Sequence, residues 1–182
     1  QTTLQQLEAM DMEIPNVTVT TIPLKSVKAR YYLNNKQYDK ALAAINQGNY
    51  ANPYLFYSEN MKSKIFEDIG NMDSAYYYSE KAYYGLPNNT MHVANYVKLA
   101  ILKKDKKAIE LASNQLQESI SVINWQNIIT AYIDIAGFGD EKLKKLTDKA
   151  VQLFPHNINL LILRKLAYTP KDKLKSANKL AE

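Results

Sequence analysis

The chain contains no cysteine, which excludes disulfide staples, thiol nucleophiles and cysteine-based metal sites while leaving the compartment open. Glycine and proline are scarce, five and six in 182 residues. Most of them stand at spacings where helices begin or end, so an all-α protein is expected. The two histidines, His92 and His156, have no carboxylate or second histidine at metal-ligand spacing and read as structural residues near helix starts. No apolar run approaches the ~18 residues of a membrane span, because residues 128–136 and 158–163 are short and broken by polar groups. The segment is therefore expected to be soluble. Beginning at Gln1 without a signal-peptide pattern, it reads as a processed chain or as a piece of something longer.

What is present is ordinary in amount and unusual in spacing. Apolar residues make up 46% and charged residues 23%, close to a globular average, so the chain is expected to fold, as one domain. Pro53, Pro87 and Pro155 lie on one clock, the second interval twice the first, and Ala41 with Ala75, or Ala82 with Ala150, keep the same time. The period is that of a helix-turn-helix repeat unit of about 34 residues, and such a period marks stacked units that cannot bury their apolar faces alone. Charge is uneven as well: residues 1–90 hold 8 Lys/Arg against 9 Asp/Glu, whereas residues 91–182 hold 15 against 9. A basic half can favour acidic partners, but Lys-rich helices are more often solvated surface, and nucleic acid is not expected as a partner.

Residues 1–22 stand outside the period. Leu4, Leu7 and Met10 form a short apolar stripe that Pro15 stops, and the β-branched NVTVTTI that follows reads as an extended lead-in, so this part is assigned as a linker or docking arm. Residues 23–182 divide into units of about 23–53, 54–87, 88–121 and 122–155, with a capping pair at 156–182. In the second unit Phe66, Gly70, Met72, Ala75 and Ala82 stand one full period after Tyr32, Lys36, Tyr38, Ala41 and Gly48. The third is less regular, since Ala108 arrives one residue early and Ser121 stands where proline is due. In the fourth, Gly137-Phe138-Gly139 lengthens the inner turn and Asp140 and Glu141 open the second helix, where negative charge suits the positive end of the dipole. Leu143 and Ala177 mark the fifth pair, whose Lys171, Lys173, Lys175 and Lys179 supply a polar outer face.

These residues resemble tetratricopeptide repeats over roughly residues 23–182. Trp125, Ile128 and Tyr132 fit the first-helix pattern, and Phe66, Gly70, Ala75, Ala82 and Pro87 fit most of the remainder. The resemblance implies an α-solenoid, a right-handed superhelix of four to five helix-turn-helix pairs whose first helices line a concave groove. Lys28 and Lys62 depart from the pattern at a slot that is usually Leu. Ile45, Ser79, Ala112 and Thr147 stand where an aromatic is expected, with Tyr76, Tyr77, Tyr78, Tyr83 and Tyr84 nearby to replace the lost bulk. A narrower likeness lies in residues 81–89 (KAYYGLPNN) with His92 and Tyr96, and in Ala29, Arg30, Tyr31 and Tyr32. It is similar to the soluble C-terminal repeat region of O-antigen ligase and polymerase-like membrane proteins of Bacteroidetes type. That likeness implies a cell-envelope location on the periplasmic side of the inner membrane, with the membrane reached only through a segment outside this chain.

Within the groove that the resemblance implies, Arg30, Lys64 and Lys98 follow one another at the repeat period and form a ladder of cations suited to a carboxylate, a phosphate or an acidic sugar. Thr130 ends the ladder. Solvated or internally paired cations are the alternative, with Glu67 and Asp68 close enough to neutralise Lys64. The tyrosines read first as core. The lone Gly137-Phe138-Gly139 lies between helices, without the strand or the Lys-Ser/Thr of a phosphate loop, and the run Lys103-Lys104-Asp105-Lys106-Lys107 lacks the interleaved aromatics of a single-strand binder. No catalytic residue, metal site or cofactor is expected. The reading is a non-enzymatic scaffold that binds a protein or peptide, or an acidic glycan, as the soluble arm of a membrane protein. A free-standing cytoplasmic adaptor, or a repeat domain of a regulator, is the alternative.

Overall fold

A computed structural model describes residues 3–13 and 21–169. The second helix expected of the fifth pair, with Ala177 and its lysines, and most of the expected extended lead-in lie outside the described residues. Over the described residues the protein is all-helical, and neighbouring helices pack on one another. None of these helices is long and apolar enough to cross a membrane.

The chain divides into two compact units, Gln1–Tyr96 and Val97–Glu182. The first holds α1 (Leu4–Glu13), α2 (Leu24–Asn34), α3 (Tyr38–Ala51), α4 (Tyr57–Asp68), α5 (Met72–Gly85) and the start of α6 (Thr90–Leu102). Here α2 packs on α3, α3 on α4 and α4 on α5, while α1 lies against α2 with Leu7 buried. The second holds the rest of α6, then α7 (Lys106–Asn114), α8 (Val122–Ala136), α9 (Glu141–Leu153) and α10 (Ile158–Ala167). In it α8 packs on α7 and α9, and α10 on both α9 and α8.

The periodic alanines explain why paired helices approach closely. Ala41, Ala75, Ala82 and Ala150 are fully buried and Ala108 nearly so; a small side chain lets two helix backbones close up, which raises dispersion contact across the seam. Gly48 takes the slot of Ala82 in the first pair because Ser26 presses on it: a Cβ there would overlap the Ser26 Oγ. Around these seams Ala29, Ala44, Ile45, Tyr57 and Met61 form one apolar cluster, flanked by Ile22, Tyr32, Leu33 and Leu55. In the second unit Trp125 is enclosed, its indole N–H donating to the Gln117 carbonyl at 3.2 Å and its ring meeting Phe154 edge-on at 6.5 Å.

Three inner turns close in one way. Lys36 and Gln37 donate to the carbonyls of Leu33 and Tyr32, Gly70 and Asn71 to those of Glu67 and Phe66, and Lys104 and Asp105 to those of Ile101 and Ala100, at 2.8–3.0 Å. This double bond satisfies the last helical carbonyls and requires a left-handed residue at the turn. The lengthened fourth turn uses Gly137 and Gly139, both at positive φ, and Gly139 donates to the Ala167 carbonyl of α10 at 3.2 Å. Helix starts are capped by Asn71, Asp105, Ser121, Asp140 and Asn157, each accepting from the backbone three residues on. Ser121, in the slot due to proline, is thus the cap of α8.

Candidate functional site

Arg30 and Lys64 lie on α2 and α4, the first helices of consecutive pairs, which touch within the first unit. Arg30 is exposed and Lys64 half-buried. The phenol of Tyr57, buried at the start of α4, is hydrogen-bonded to Arg30; burial raises the Tyr57 pKa while the neighbouring guanidinium pulls it down. Lys64 acts on His92 of α6, whose buried imidazole is bonded to the Ala82 carbonyl; burial and the Lys64 charge lower its pKa, and that bond opposes them. Lys98 is exposed on the part of α6 that belongs to the second unit. The structure therefore brings two of the three sequence-predicted cations onto neighbouring helices, with Arg30 hydrogen-bonded to Tyr57 and the Lys64 charge disfavouring protonation of His92.

The departures from the repeat pattern form pairs that the sequence did not indicate. Lys62 stands over the Tyr78 ring at 5.4 Å, and Tyr78 stacks on Phe66 at 5.5 Å. Tyr83 and Tyr76 both stack on Tyr96, at 4.5 and 5.9 Å, and enclosure in this cluster raises the Tyr83 pKa to about 12. Tyr77, under Lys81 at 4.6 Å, and Tyr84 remain about half exposed. Consecutive tyrosines thus go to different neighbours, as helical geometry demands. Lys28 joins Lys25, Lys40 and Tyr32 around a cleft of about 230 Å³ between α2 and α3.

A second feature escaped the sequence reading. Between α8 and α10, the first helices of the last two pairs, a cleft of about 320 Å³ is lined by Gln126, Asn127, Thr130, Asn159, Ile162 and Leu163. Gln126 donates to Asn157 Oδ1 at 2.8 Å, and that oxygen also caps α10 through the Leu160 N–H. Asp148 ties the other side of α10 to α9, accepting from Arg164 Nε at 2.6 Å and from the Tyr168 hydroxyl at 2.5 Å; both donors hold its carboxyl below the usual range. The wall is uncharged: its amides donate and accept, and its two aliphatic residues supply apolar surface. The signal in the sequence was the row of amides at Gln126, Asn127, Asn157 and Asn159, which falls on the starts of two successive first helices and shows only when they are placed side by side.

Compared with known proteins, the chain matches no family model and no curated protein sequence.

Proposed function

We propose that this chain is a non-catalytic binding module in which tetratricopeptide-like helix pairs stack as a solenoid and hold an extended peptide segment along their first helices. The observation that carries this reading is the amide-lined cleft between α8 and α10. A peptide backbone is uncharged and offers alternating donors and acceptors, which Asn127 and Asn159 match from facing helices, while Ile162 and Leu163 receive an apolar side chain. Arg30, Lys64 and Lys98 serve an acidic stretch of the partner, or an acidic glycan, by charge-assisted hydrogen bonds.

The test is selection of peptides from a random display library on the whole chain, followed by titration into an Asn127→Ala, Asn159→Ala variant. The selected peptides bind this variant at least tenfold more weakly while its circular dichroism is unchanged. Equal binding to both proteins overturns the assignment. Charge reversal at Arg30, Lys64 and Lys98 abolishes only salt-sensitive binding of anionic ligands; undiminished binding removes the ladder from the site.

The likeness in residues 81–89, with His92 and Tyr96, supports placing the module as the soluble arm of a cell-envelope membrane protein. An immunoblot of fractionated cells tests that placement. A band well above 20.8 kDa in the inner-membrane fraction supports it, and a band near that mass in a soluble fraction replaces it with the free-standing adaptor.

A further inference from the structure

The first and second helix pairs differ at a place where the repeat aligns them residue by residue. In the second pair Lys62, Phe66 and Tyr78 make a closed stack. The Tyr78 ring of α5 lies nearly parallel to Phe66 of α4, with 4° between the planes and 5.5 Å between centroids, and the Lys62 ammonium stands 5.4 Å from the Tyr78 ring centre. One period earlier the corresponding residues are Lys28, Tyr32 and Ala44. The lysine and the first-helix ring are kept, while the covering ring is reduced to a methyl group. Because α2 packs on α3 as α4 does on α5, the shortened side chain leaves a space between the helices. That space is the cleft of about 230 Å³, which these three residues line together with Lys25, Lys40 and Gln47.

The fourth pair shows the same face when it is sealed. There Trp125, Ile128 and Tyr132, at the spacing of Lys25, Lys28 and Tyr32, are all buried on α8. In both pairs a lysine of the second helix stands over the tyrosine, Lys142 over Tyr132 at 5.5 Å and Lys40 over Tyr32 at 5.9 Å, which fixes the correspondence. The first pair thus carries two half-buried lysines where the fourth buries a tryptophan and an isoleucine. The opening is cationic: three lysines and, among the described residues, no Asp or Glu line it. Lys25 and Lys28 each make another contact as well, and an ammonium with three donors keeps others for a ligand.

We infer that this cleft binds a small aromatic carboxylate, its ring in the place that Tyr78 fills in the second pair. The ring stacks on Tyr32 as Tyr78 stacks on Phe66, and Lys28 stands over it as Lys62 does over Tyr78. The carboxylate meets Lys25 and Lys40 in charge-assisted hydrogen bonds. Lys40 reaches it on a flexible stem, giving up a contact with Tyr32 that is already near the ~6 Å limit of cation–π attraction. The Gln47 amide, which both donates and accepts, serves a polar substituent on the ring. Size narrows the choice: drug-sized ligands occupy ~300–1,000 Å³, so this smaller cleft takes one ring and its acid group rather than a nucleotide or a fused-ring cofactor. Both halves of the ligand are needed, since a bare anion leaves the Tyr32 face uncovered and a neutral ring forgoes the three ammonium groups. The site is distinct from the cleft between α8 and α10 and from Arg30, Lys64 and Lys98.

The experiment titrates phenylacetate into the isotope-labelled whole chain and follows its amide signals by NMR, with acetate as the ring-free probe and benzyl alcohol as the charge-free one. Phenylacetate is expected to shift the Gln47 side-chain amide and the Ala44 backbone amide, to bind at least tenfold more tightly than either control, and to weaken as salt is added. Two variants locate the site. Ala44→Tyr rebuilds the stack of the second pair and abolishes binding. A Lys28→Gln, Lys40→Gln variant weakens it at least tenfold with unchanged circular dichroism, and this variant decides the matter if the tyrosine replacement fails to fold. The Asn127→Ala, Asn159→Ala variant binds phenylacetate as the native chain does, which separates this site from the peptide cleft. A short peptide ending in phenylalanine identifies the source of the ligand: tighter binding than phenylacetate, lost when the terminus is amidated, assigns the site to a peptide C-terminus, and no gain assigns it to a free acid. Acetate binding as tightly as phenylacetate means an adventitious ion only and overturns the proposal. Undiminished affinity in the Lys28→Gln, Lys40→Gln variant overturns it too, as does the absence of any shift with phenylacetate.

Discussion

Lys36 and Lys104, two repeat periods apart in the chain, turn through the same left-handed conformation, with φ of 56° and 55°, and Gly70 does so midway between them at 80°. The repeat therefore imposes a backbone conformation even where the sequence does not supply the residue best suited to it. A side chain in this region costs ~1–2 kcal/mol, partly offset because glycine has more freedom to lose on folding. Lys36→Gly and Lys104→Gly are each expected to stabilise the protein by about 0.5–1 kcal/mol, and Gly70→Ala to destabilise it by about 1 kcal/mol. Urea midpoints of the three variants check the signs; a loss on both Lys→Gly replacements would show that the lysine side chains contribute more than the strain removes.

The next residue in each turn allows a second comparison. Asn71 and Asp105 cap α5 and α7 by accepting from the backbone N–H three residues on, whereas Gln37, at nearly the same φ and ψ, makes no side-chain cap to α3. Its extra methylene carries the amide past the donor. Gln37→Asp is expected to add about 0.5–1 kcal/mol, since a carboxylate also suits the positive end of the helix. Thermal melts at neutral pH measure the gain, which is absent in Gln37→Glu.

Gly85 separates helix propensity from packing. In a helix, alanine is ordinarily better than glycine by about 1 kcal/mol, but a Cβ at Gly85 would overlap the Phe56 ring at Cγ and both Cδ atoms. Gly85→Ala is therefore expected to destabilise by about 1–3 kcal/mol. In a Phe56→Ala background the same replacement becomes stabilising. A double-mutant cycle by chemical denaturation reads the change of sign.

Asn60 is fully enclosed in α4, and neither its amide nitrogen nor its amide oxygen has a hydrogen-bond partner among the described residues. Ser63, one turn along the helix, does: it accepts from Asn95 of α6 at 2.8 Å and donates to the Ala75 carbonyl at 2.8 Å. Burying an amide without partners costs ~1–3 kcal/mol, and a leucine of similar shape removes that cost. Asn60→Leu is expected to stabilise by about 1–2 kcal/mol, whereas Asn95→Leu destabilises because it removes the buried hydrogen bond that Ser63 accepts. A loss of stability in Asn60→Leu would contradict the unpartnered amide.

His92 makes stability depend on pH in a defined direction. Its folded pKa lies below the free value of 6.5, through burial first and the Lys64 charge last, with the Ala82 carbonyl opposing. Above that free value both folded and unfolded chains carry the neutral ring and His92 contributes no slope. Below it the unfolded chain takes up a proton that the folded chain refuses, so stability falls with pH until the folded pKa is reached, then levels. His92→Gln removes this component. Urea midpoints of both proteins from neutral to mildly acidic pH give the difference curve, which is flat if His92 is not the titrating group.

The sequence by itself determined the features that short-range physics controls. The periodic spacing of proline and alanine states where one helix pair gives way to the next and where helices approach, because a proline breaks the helical ladder locally and a small residue lets backbones close up. Asp140 at the opening of α9 was readable for the same reason, whereas Ser121 read only as a missing proline and its role as the cap of α8 came from the structure. Arg30 and Lys64 were placed on consecutive first helices by period alone. The Tyr57 bond to Arg30 and the effect of the Lys64 charge on His92 were not, since both arise only after helices fold side by side. The facing amides of α8 and α10, the contact of Phe56 with Gly85, and the stranded amide of Asn60 depend on which residues meet across a packed seam. Tertiary structure decided these, because contact between distant segments depends on interhelical distance and rotation, neither of which periodicity specifies.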